Sequence, residues 1–219
     1  NLNTIPIFEV PEIPPWANGE ERINMLTHFF GAIMAFIFLF FLVNSAKKSQ
    51  DKNKMIGNCT FGGSLLLMFC TSTIYHALNY SYLKRWFRVF DHISIYILIA
   101  GCYTPFTLTY LRQSRGKLIN IIVWSIAAFG SSMKILFFDA FDPYSMQLFY
   151  IMGFIFLVSA KELITKLSKG AIFYFVIGGL MYIIGSYFYN SYTIYWHAIW
   201  HVFVVLGGFF HSICVCFYL

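Results

Sequence analysis

Residues 25–46 read MLTHFFGAIMAFIFLFFLVNSA, and this stretch decides the fold of the chain. It holds no Asp, Glu, Lys or Arg, and about twenty apolar residues cross the hydrocarbon of a bilayer as a helix. Each segment must be a helix, because lipid offers no hydrogen-bond partners to unpaired backbone N–H and C=O groups. Six further apolar segments follow, at residues 56–78, 87–111, 118–138, 145–163, 171–189 and 194–219. The sequence therefore predicts an all-α polytopic membrane protein, a seven-transmembrane helix bundle.

The composition of the chain agrees with a location in lipid. Apolar residues make up 59% of the 219 residues and charged residues only 11%, against roughly 25% charged residues in soluble domains. A water-soluble fold of this length could not bury so much apolar surface. We therefore expect an integral, multi-pass protein, with a short acidic, proline-containing segment at residues 1–22 and one membrane domain at residues 23–219.

The positive charge of the chain does not indicate a nucleic-acid partner. The formal net charge is +6, but the basic residues form short clusters between the apolar runs, as charges that flank membrane spans do. We expect membrane lipids as partners and no nucleic acid. All five cysteines lie within or beside apolar segments, where a thiol usually packs as a small hydrophobic group. We predict neither a disulfide framework nor a cysteine metal site.

Ionisable residues inside a membrane are costly, so each of them demands a reason. The order of seven helices places four of these residues at span ends on one side of the membrane. His28 begins the first span, His76 ends the second, Asp91 begins the third and His197 begins the seventh. The sequence therefore predicts a polar site near one leaflet.

His76 and His197 of this group, together with His201, have the spacing of a metal site. His197 and His201 are four residues apart, which puts both rings on one helix face, one turn apart. His76 could complete the set from a facing helix. Three histidine ligands leave one tetrahedral position open, as in catalytic zinc sites, and Asp91 could hold a water molecule there. We predict zinc as the cofactor. Histidines at this spacing also occur where they only hydrogen-bond neighbouring groups, and this alternative stays open.

Ser72 is a further candidate residue of this site. It lies one turn before His76 on the same helix face, where its hydroxyl could bond a histidine nitrogen, an aspartate or a water molecule. We therefore predict Asp91 and Ser72 as the catalytic residues. A serine nucleophile is disfavoured, because a histidine that binds zinc cannot also act as its base. The alternative is that Ser72 bonds a carbonyl of its own helix.

The remaining polar residues have structural explanations. Glu21 and Asn24 fit capping at the start of the first helix, and we expect His28 to bond a neighbouring helix. His211 lies ten residues after the second histidine of the pair, about 15 Å deeper, and cannot join the same site. His92 points about 100° away from Asp91 on the helix, so we assign it to packing or to indirect support of the site.

The motifs, taken in order, resemble those of the haemolysin III branch of the progestin and adipoQ receptor family. The resemblance covers nearly all of the chain from Glu21 onward. The matching motifs are ExxNxxTHxxG at residues 21–31, SxxxH at 72–76, FRVFDHISIYILIAGCYTPF at 87–106 and WHAIWHVFV at 196–204.

The resemblance implies a seven-helix bundle in which His76, His197 and His201 bind zinc and Asp91 acts through water. The family is distantly related to alkaline ceramidases. The resemblance therefore also implies hydrolysis of lipid amides, in which zinc would polarise the carbonyl and activate water. Other members are described as receptors, and the branch name records lysis of red cells. A lipid or hormone receptor with structural zinc, and a membrane-lysing protein, are therefore the alternatives, and a lipid amide or a sterol is the expected ligand. We find no amphipathic segment or polar channel that favours lysis.

Overall fold

The computed structural model of the chain describes residues 17–79, 81–189 and 193–219. Residues 1–16 of the predicted N-terminal segment lie outside the described residues, and the boundary predicted after residue 22 falls within the first helix. The α-helices are α1 Ala17–Ser49, α2 Lys52–Ala77, α3 Tyr82–Leu108, α4 Gly116–Leu136, α5 Phe138–Phe141, α6 Ser145–Phe154, α7 Ala160–Lys166, α8 Lys169–Tyr189 and α9 Trp196–Tyr218.

The described part of the chain contains seven helical spans that are long and apolar enough to cross a membrane. Six of them are single helices, and α5 to α7 together form the fifth span, Phe138–Lys166. The predicted seven-helix bundle is therefore confirmed. Large apolar side chains such as Phe30 and Phe36 are exposed on α1, as expected of residues that face lipid. The protein is an integral, multi-pass membrane protein.

The core of the bundle lies among α2, α3 and α9. Helix α1 packs against α2 and α9, α2 packs against α3, α3 against α4, and α8 against α9. About half of the residues of α2, α3 and α9 are buried inside the protein, a larger share than in the other spans. These three helices also carry Ser72, His76, Asp91, His197 and His201. The candidate site is therefore built on the most enclosed part of the fold.

The first helix begins earlier than hydropathy predicts. It starts at Ala17, whereas the apolar stretch begins at Met25. Glu21 and Asn24 therefore lie inside α1, and their assignment to capping at its start is wrong. Hydropathy marks where apolar side chains begin, but the backbone hydrogen bonds of a helix continue into its polar flank. This extension brings Glu21 to the end of α2.

The fifth span is longer and less regular than the predicted helix at residues 145–163. Two 3₁₀ segments interrupt it, Asp142–Tyr144 and Ile155–Ser159. At the second interruption, the hydroxyl of Tyr103 on α3 donates to the carbonyl of Met152 at 2.6 Å and accepts from the amide of Phe156 at 3.0 Å. A helix in lipid can change its winding only where other groups satisfy its backbone. The Tyr103 hydroxyl supplies these hydrogen bonds to the backbone of the fifth span.

A close approach of α2 and α3 depends on Gly57. A Cβ atom at this position would lie 2.8 Å from the Cα of Pro105. Because the neighbour is backbone and cannot swing aside, we expect Gly57→Ala to destabilise the protein by about 1–3 kcal/mol, the usual effect of overpacking. The measurement is the melting temperature of detergent-purified protein.

Gly63→Ala, on the same helix, is the matched control. A Cβ at Gly63 meets nothing within 4 Å, and alanine favours a helix over glycine by about 1 kcal/mol. We expect this variant to melt at or above the temperature of the parent. Equal melting of the two variants would contradict the proposed contact between α2 and α3.

Candidate metal centre

The three histidines predicted to bind metal converge in the structure. His76 lies in the last turn of α2, and His197 and His201 lie in the first two turns of α9. One ring nitrogen of each lies within 4.8 Å of the corresponding nitrogen of the other two. His201 is fully buried and His76 is nearly so. The arrangement can therefore hold one metal ion between two helices.

The histidine nitrogens that face one another have no partners within the described residues. Nε2 of His76, His197 and His201 is buried in each case and makes no hydrogen bond there. An unsatisfied buried polar group costs about 1–3 kcal/mol, and three of them in one place are hard to explain by helix packing alone. A divalent metal ion would satisfy all three at once, so the residues present fit such an ion.

The opposite ring nitrogens fix two of these rings in a ligating form. Nδ1 of His76 donates to Oε1 of Glu21 at 3.3 Å. Nδ1 of His201 donates to the carbonyl oxygen of Asn24 at 3.2 Å, with the hydroxyl of Thr27 at the same distance. A carbonyl oxygen can only accept, so the proton of a neutral His201 ring lies on Nδ1. Its Nε2 therefore keeps the free electron pair that a metal requires.

Glu21 and Lys84 support His76 from two other helices. Lys84 donates from Nζ to Oε2 of Glu21 at 2.5 Å and to the carbonyl oxygen of Leu78 at 3.0 Å. The Ser81 side chain caps α3 by accepting from the amide of Lys84 at 3.2 Å. Sequence reasoning missed both charged residues. Glu21 could have been found from its position seven residues before His28, because two helical turns return to the same face.

The start of α9 is also anchored on α1. Tyr195, just before α9, has a left-handed backbone with φ of 67°. Its amide donates to Oε1 of Glu20 at 3.0 Å. This contact fixes the turn that leads into α9, and with it the position of His197 in the first helical turn.

Asp91 and Ser72 lie beside the histidines, as the sequence predicts. Asp91 is 6% exposed, and its carboxylate is close to Ser72 and His76. The Ser72 hydroxyl is fully buried and close enough to interact with Asp91, without a well-formed hydrogen bond to any described residue. In the described part of the chain, Asp91 does not join the group of three ligating atoms. This placement suits a carboxylate that acts on a metal-bound water.

His28 has a different environment from the one predicted. Neither ring nitrogen bonds a group among the described residues, so the expected bond to a neighbouring helix is absent there. Its ring instead stacks on His201, with centroids 3.5 Å apart and an interplanar angle of 15°. His28 thus packs against the histidine cluster and also lines the neighbouring end of an apolar cavity.

His92 belongs to a separate polar cluster at the same end of the bundle. Its Nδ1 donates to the carbonyl of Arg88 at 2.8 Å, and its Nε2 lies 3.6 Å from Asp142. Asp142 also pairs with the fully buried Lys134, which sequence reasoning missed. These contacts join α3, α4 and the start of the fifth span. His92 is therefore not part of the metal group, in agreement with its assignment to packing.

A long apolar cavity leads away from the histidine cluster. Its volume is about 310 Å³, and it extends from His28 and Asp91 at one end to Leu111 and Leu163 at the other. Lining residues of the fifth span and of α8 are also about half exposed on the surface, among them Phe154, Val176 and Leu180. The cavity therefore opens sideways between these two spans, toward lipid.

Comparisons with known proteins agree on one family. The model of a family described as haemolysin-III related matches residues 16–212. The hemolysin-3 homolog of Bacillus subtilis (strain 168) is 35% identical over 200 residues, covering 91% of this chain and 94% of the relative. Hemolysin-3 of Bacillus cereus is 34% identical, with 91% of each covered. The human monocyte to macrophage differentiation factor is 26% identical over 211 residues, covering 91% and 84%. No solved structure matches the chain.

The contact between Glu21 and His76 generates a prediction on metal affinity. Glu21→Gln removes the negative charge that orients the ring and raises the basicity of its ligating nitrogen. We expect affinity for Zn²⁺ to fall roughly tenfold to a hundredfold, as for other groups that support metal ligands. Competition with a chromophoric chelator on detergent-purified protein measures this change.

Glu20→Gln is the matched control, since glutamine keeps the oxygen that accepts from the amide of Tyr195. Its Zn²⁺ affinity should equal that of the parent. If Glu21→Gln also bound Zn²⁺ with parental affinity, Glu21 would have no role in positioning His76.

Proposed function

The chain belongs to the haemolysin III-related family, and we propose that it is a zinc-dependent hydrolase of lipid amides. One observation carries the proposal. Three unpartnered histidine nitrogens converge beside a buried carboxylate at the end of an apolar cavity. The first two features suit hydrolysis at a metal-bound water, and the third suits a lipid substrate.

The ligand set favours zinc among the divalent metals. Imidazole nitrogens suit zinc, copper, iron and nickel, and three histidines with an open fourth position are typical of catalytic zinc. His76, His197 and His201 would hold the ion. When bound, zinc polarises the substrate carbonyl and lowers the pKa of a coordinated water molecule.

Asp91 has the chemistry and the location of a general base. Its carboxylate accepts a proton from the attacking water as the bond from that oxygen to the amide carbon forms. It then returns the proton to the amine nitrogen as the carbon–nitrogen bond breaks, so the products are a fatty acid and an amine. The Ser72 hydroxyl, close to Asp91, orients the carboxylate. Such proton transfer contributes about 10²–10⁴-fold to rate.

The cavity supports a substrate with an acyl chain. Its walls are almost entirely apolar, and its volume of about 310 Å³ suits a slender chain better than a folded polar ligand. Asp91 and His28 line its polar end, so a chain within it would place its amide beside the histidine cluster. The opening between the fifth span and α8 lets a lipid enter from the bilayer without crossing water.

A lipid or hormone receptor, with zinc in a structural role, would use the same cavity and the same histidines. It differs from an amidase only in the absence of turnover. A membrane-lysing role is the other candidate, because two relatives carry the name hemolysin-3. The apolar lining of the cavity offers ions no polar path, which favours the enzyme. Dye release from liposomes by protein with and without zinc tests the lytic role.

Asp91→Asn separates an enzyme from a receptor. Asparagine matches the shape of aspartate but cannot take a proton from water, so we expect ceramide hydrolysis to fall by about 10²-fold or more. Zinc content, measured by mass spectrometry, should stay at the parental level. The assay follows release of fatty acid by detergent-purified protein.

Asp139→Asn, an exposed change at the same end of the bundle, is the control and should keep parental turnover. Parental turnover in a zinc-loaded Asp91→Asn variant would contradict the assigned role of Asp91. If the parent bound ceramide saturably without hydrolysing it, and Asp91→Asn bound it equally, the receptor interpretation would replace the enzyme.

A further inference from the structure

His211 is a buried histidine that the proposed metal site does not use. It lies on α9 ten residues after His201, about 15 Å deeper into the membrane. It is 8% exposed and lines the cavity. Its Nε2 donates to the carbonyl oxygen of Phe175 on α8 at 3.1 Å. This bond accounts for one of the two ring nitrogens.

The other nitrogen, Nδ1, faces away from α8. A Cβ atom at Gly178 would lie 2.6 Å from Nε2, so the edge of the ring that carries Nε2 is the one pressed against α8. Because Nε2 holds the proton of the neutral ring, Nδ1 is a hydrogen-bond acceptor. No described residue hydrogen-bonds it, and the His211 side chain lines the cavity. His211 thus presents an unused acceptor to the cavity.

Tyr182 presents the complementary group. It lies seven residues after Phe175, on the same face of α8, and its ring centroid is 5.5 Å from that of His211. Its hydroxyl is buried and has no partner among the described residues. Gly207 on α9 makes room for the ring, since a Cβ there would lie 2.7 Å from Cζ of Tyr182. Tyr182 and His211 both line the cavity.

Helix packing does not explain this pair. The bond from His211 to Phe175 satisfies Nε2, but it leaves the acceptor on His211 and the donor on Tyr182 unused. Polar groups at this depth in a membrane are costly and usually serve a ligand or a transport path. The surrounding wall is apolar, with Phe106, Phe175 and Val204 nearby in the lining, which excludes a charged ligand group.

We propose that His211 and Tyr182 bind a hydroxyl group carried by an otherwise apolar ligand. The Tyr182 hydroxyl donates to the ligand oxygen, and the ligand hydroxyl donates to Nδ1 of His211. A hydroxyl is the small neutral group that can accept and donate at once. The ligand is either an acyl lipid hydroxylated along its chain or a sterol, which share this chemistry. The inference rests on the proposed lipid-binding role of the cavity, but not on hydrolysis.

Matched lipid pairs test the inference on the detergent-purified full chain. The probes are mid-chain hydroxystearic acid against stearic acid, and cholesterol against cholestane, each titrated while its binding is measured. The parent should prefer the hydroxylated member of one pair by roughly tenfold, the effect of one or two neutral hydrogen bonds. Preference in the first pair identifies a hydroxylated chain, and preference in the second identifies a sterol.

Two conservative variants test whether Tyr182 and His211 cause the preference for hydroxylated lipids. Tyr182→Phe removes only the hydroxyl, and His211→Gln keeps an amide donor for the Phe175 carbonyl while replacing the acceptor at Nδ1 by an amide oxygen at a different position. Each should lose the preference and still bind the lipid without a hydroxyl as the parent does. Tyr174→Phe, on α8 but outside the cavity lining, should keep it.

The outcomes distinguish this inference from the proposed function. Equal binding of hydroxylated and plain lipids by the parent, or a preference that survives in both variants, would overturn the hydroxyl site and leave the cavity as a lipid site. Binding of no lipid in either pair would overturn the proposed lipid-binding role of the cavity, and the hydroxyl site with it.

Discussion

Hydrocarbon offers no hydrogen-bond partners, and the structure of this protein depends on that constraint at every level. It turns apolar segments into helices, and it requires any irregular backbone to be satisfied from within. Tyr103 does this where the fifth span changes its winding. Buried charges follow the same requirement, since Lys134 pairs with Asp142 and Lys84 pairs with Glu21.

Several exceptions to this constraint lie at or beside the cavity. Among the described residues, three histidine nitrogens near the Asp91 end of the cavity lack partners, and so does the Tyr182 hydroxyl farther along it. In the proposed function, these are the atoms that a metal ion and a lipid would satisfy. In that proposal, a metal ion at the first place and a lipid along the second would form one continuous site. The same constraint therefore accounts for the fold and for the location at which we propose its chemistry.

The sequence predicts the parts of this arrangement that depend on hydropathy and on helical spacing. Seven spans follow from the apolar runs, and the convergence of His76 with His197 and His201 follows from helix order and an i, i+4 pair. The contacts from Glu21 to His76 and from Tyr103 to the fifth span do not follow. They depend on how far α1 extends beyond its apolar part and on how each helix is rotated. Helices that are apolar on nearly every face carry little periodic signal of that rotation.

The most direct test of the metal centre is the zinc content of detergent-purified protein, measured by mass spectrometry. The parent is compared with a His197→Ala and His201→Ala double variant that still elutes as a folded species, and with His92→Ala as the control outside the cluster. We expect about one zinc ion per chain in the parent and in the control, and its loss in the double variant. Equal zinc content in the parent and the double variant, whether negligible or stoichiometric, would contradict a zinc site built on these histidines.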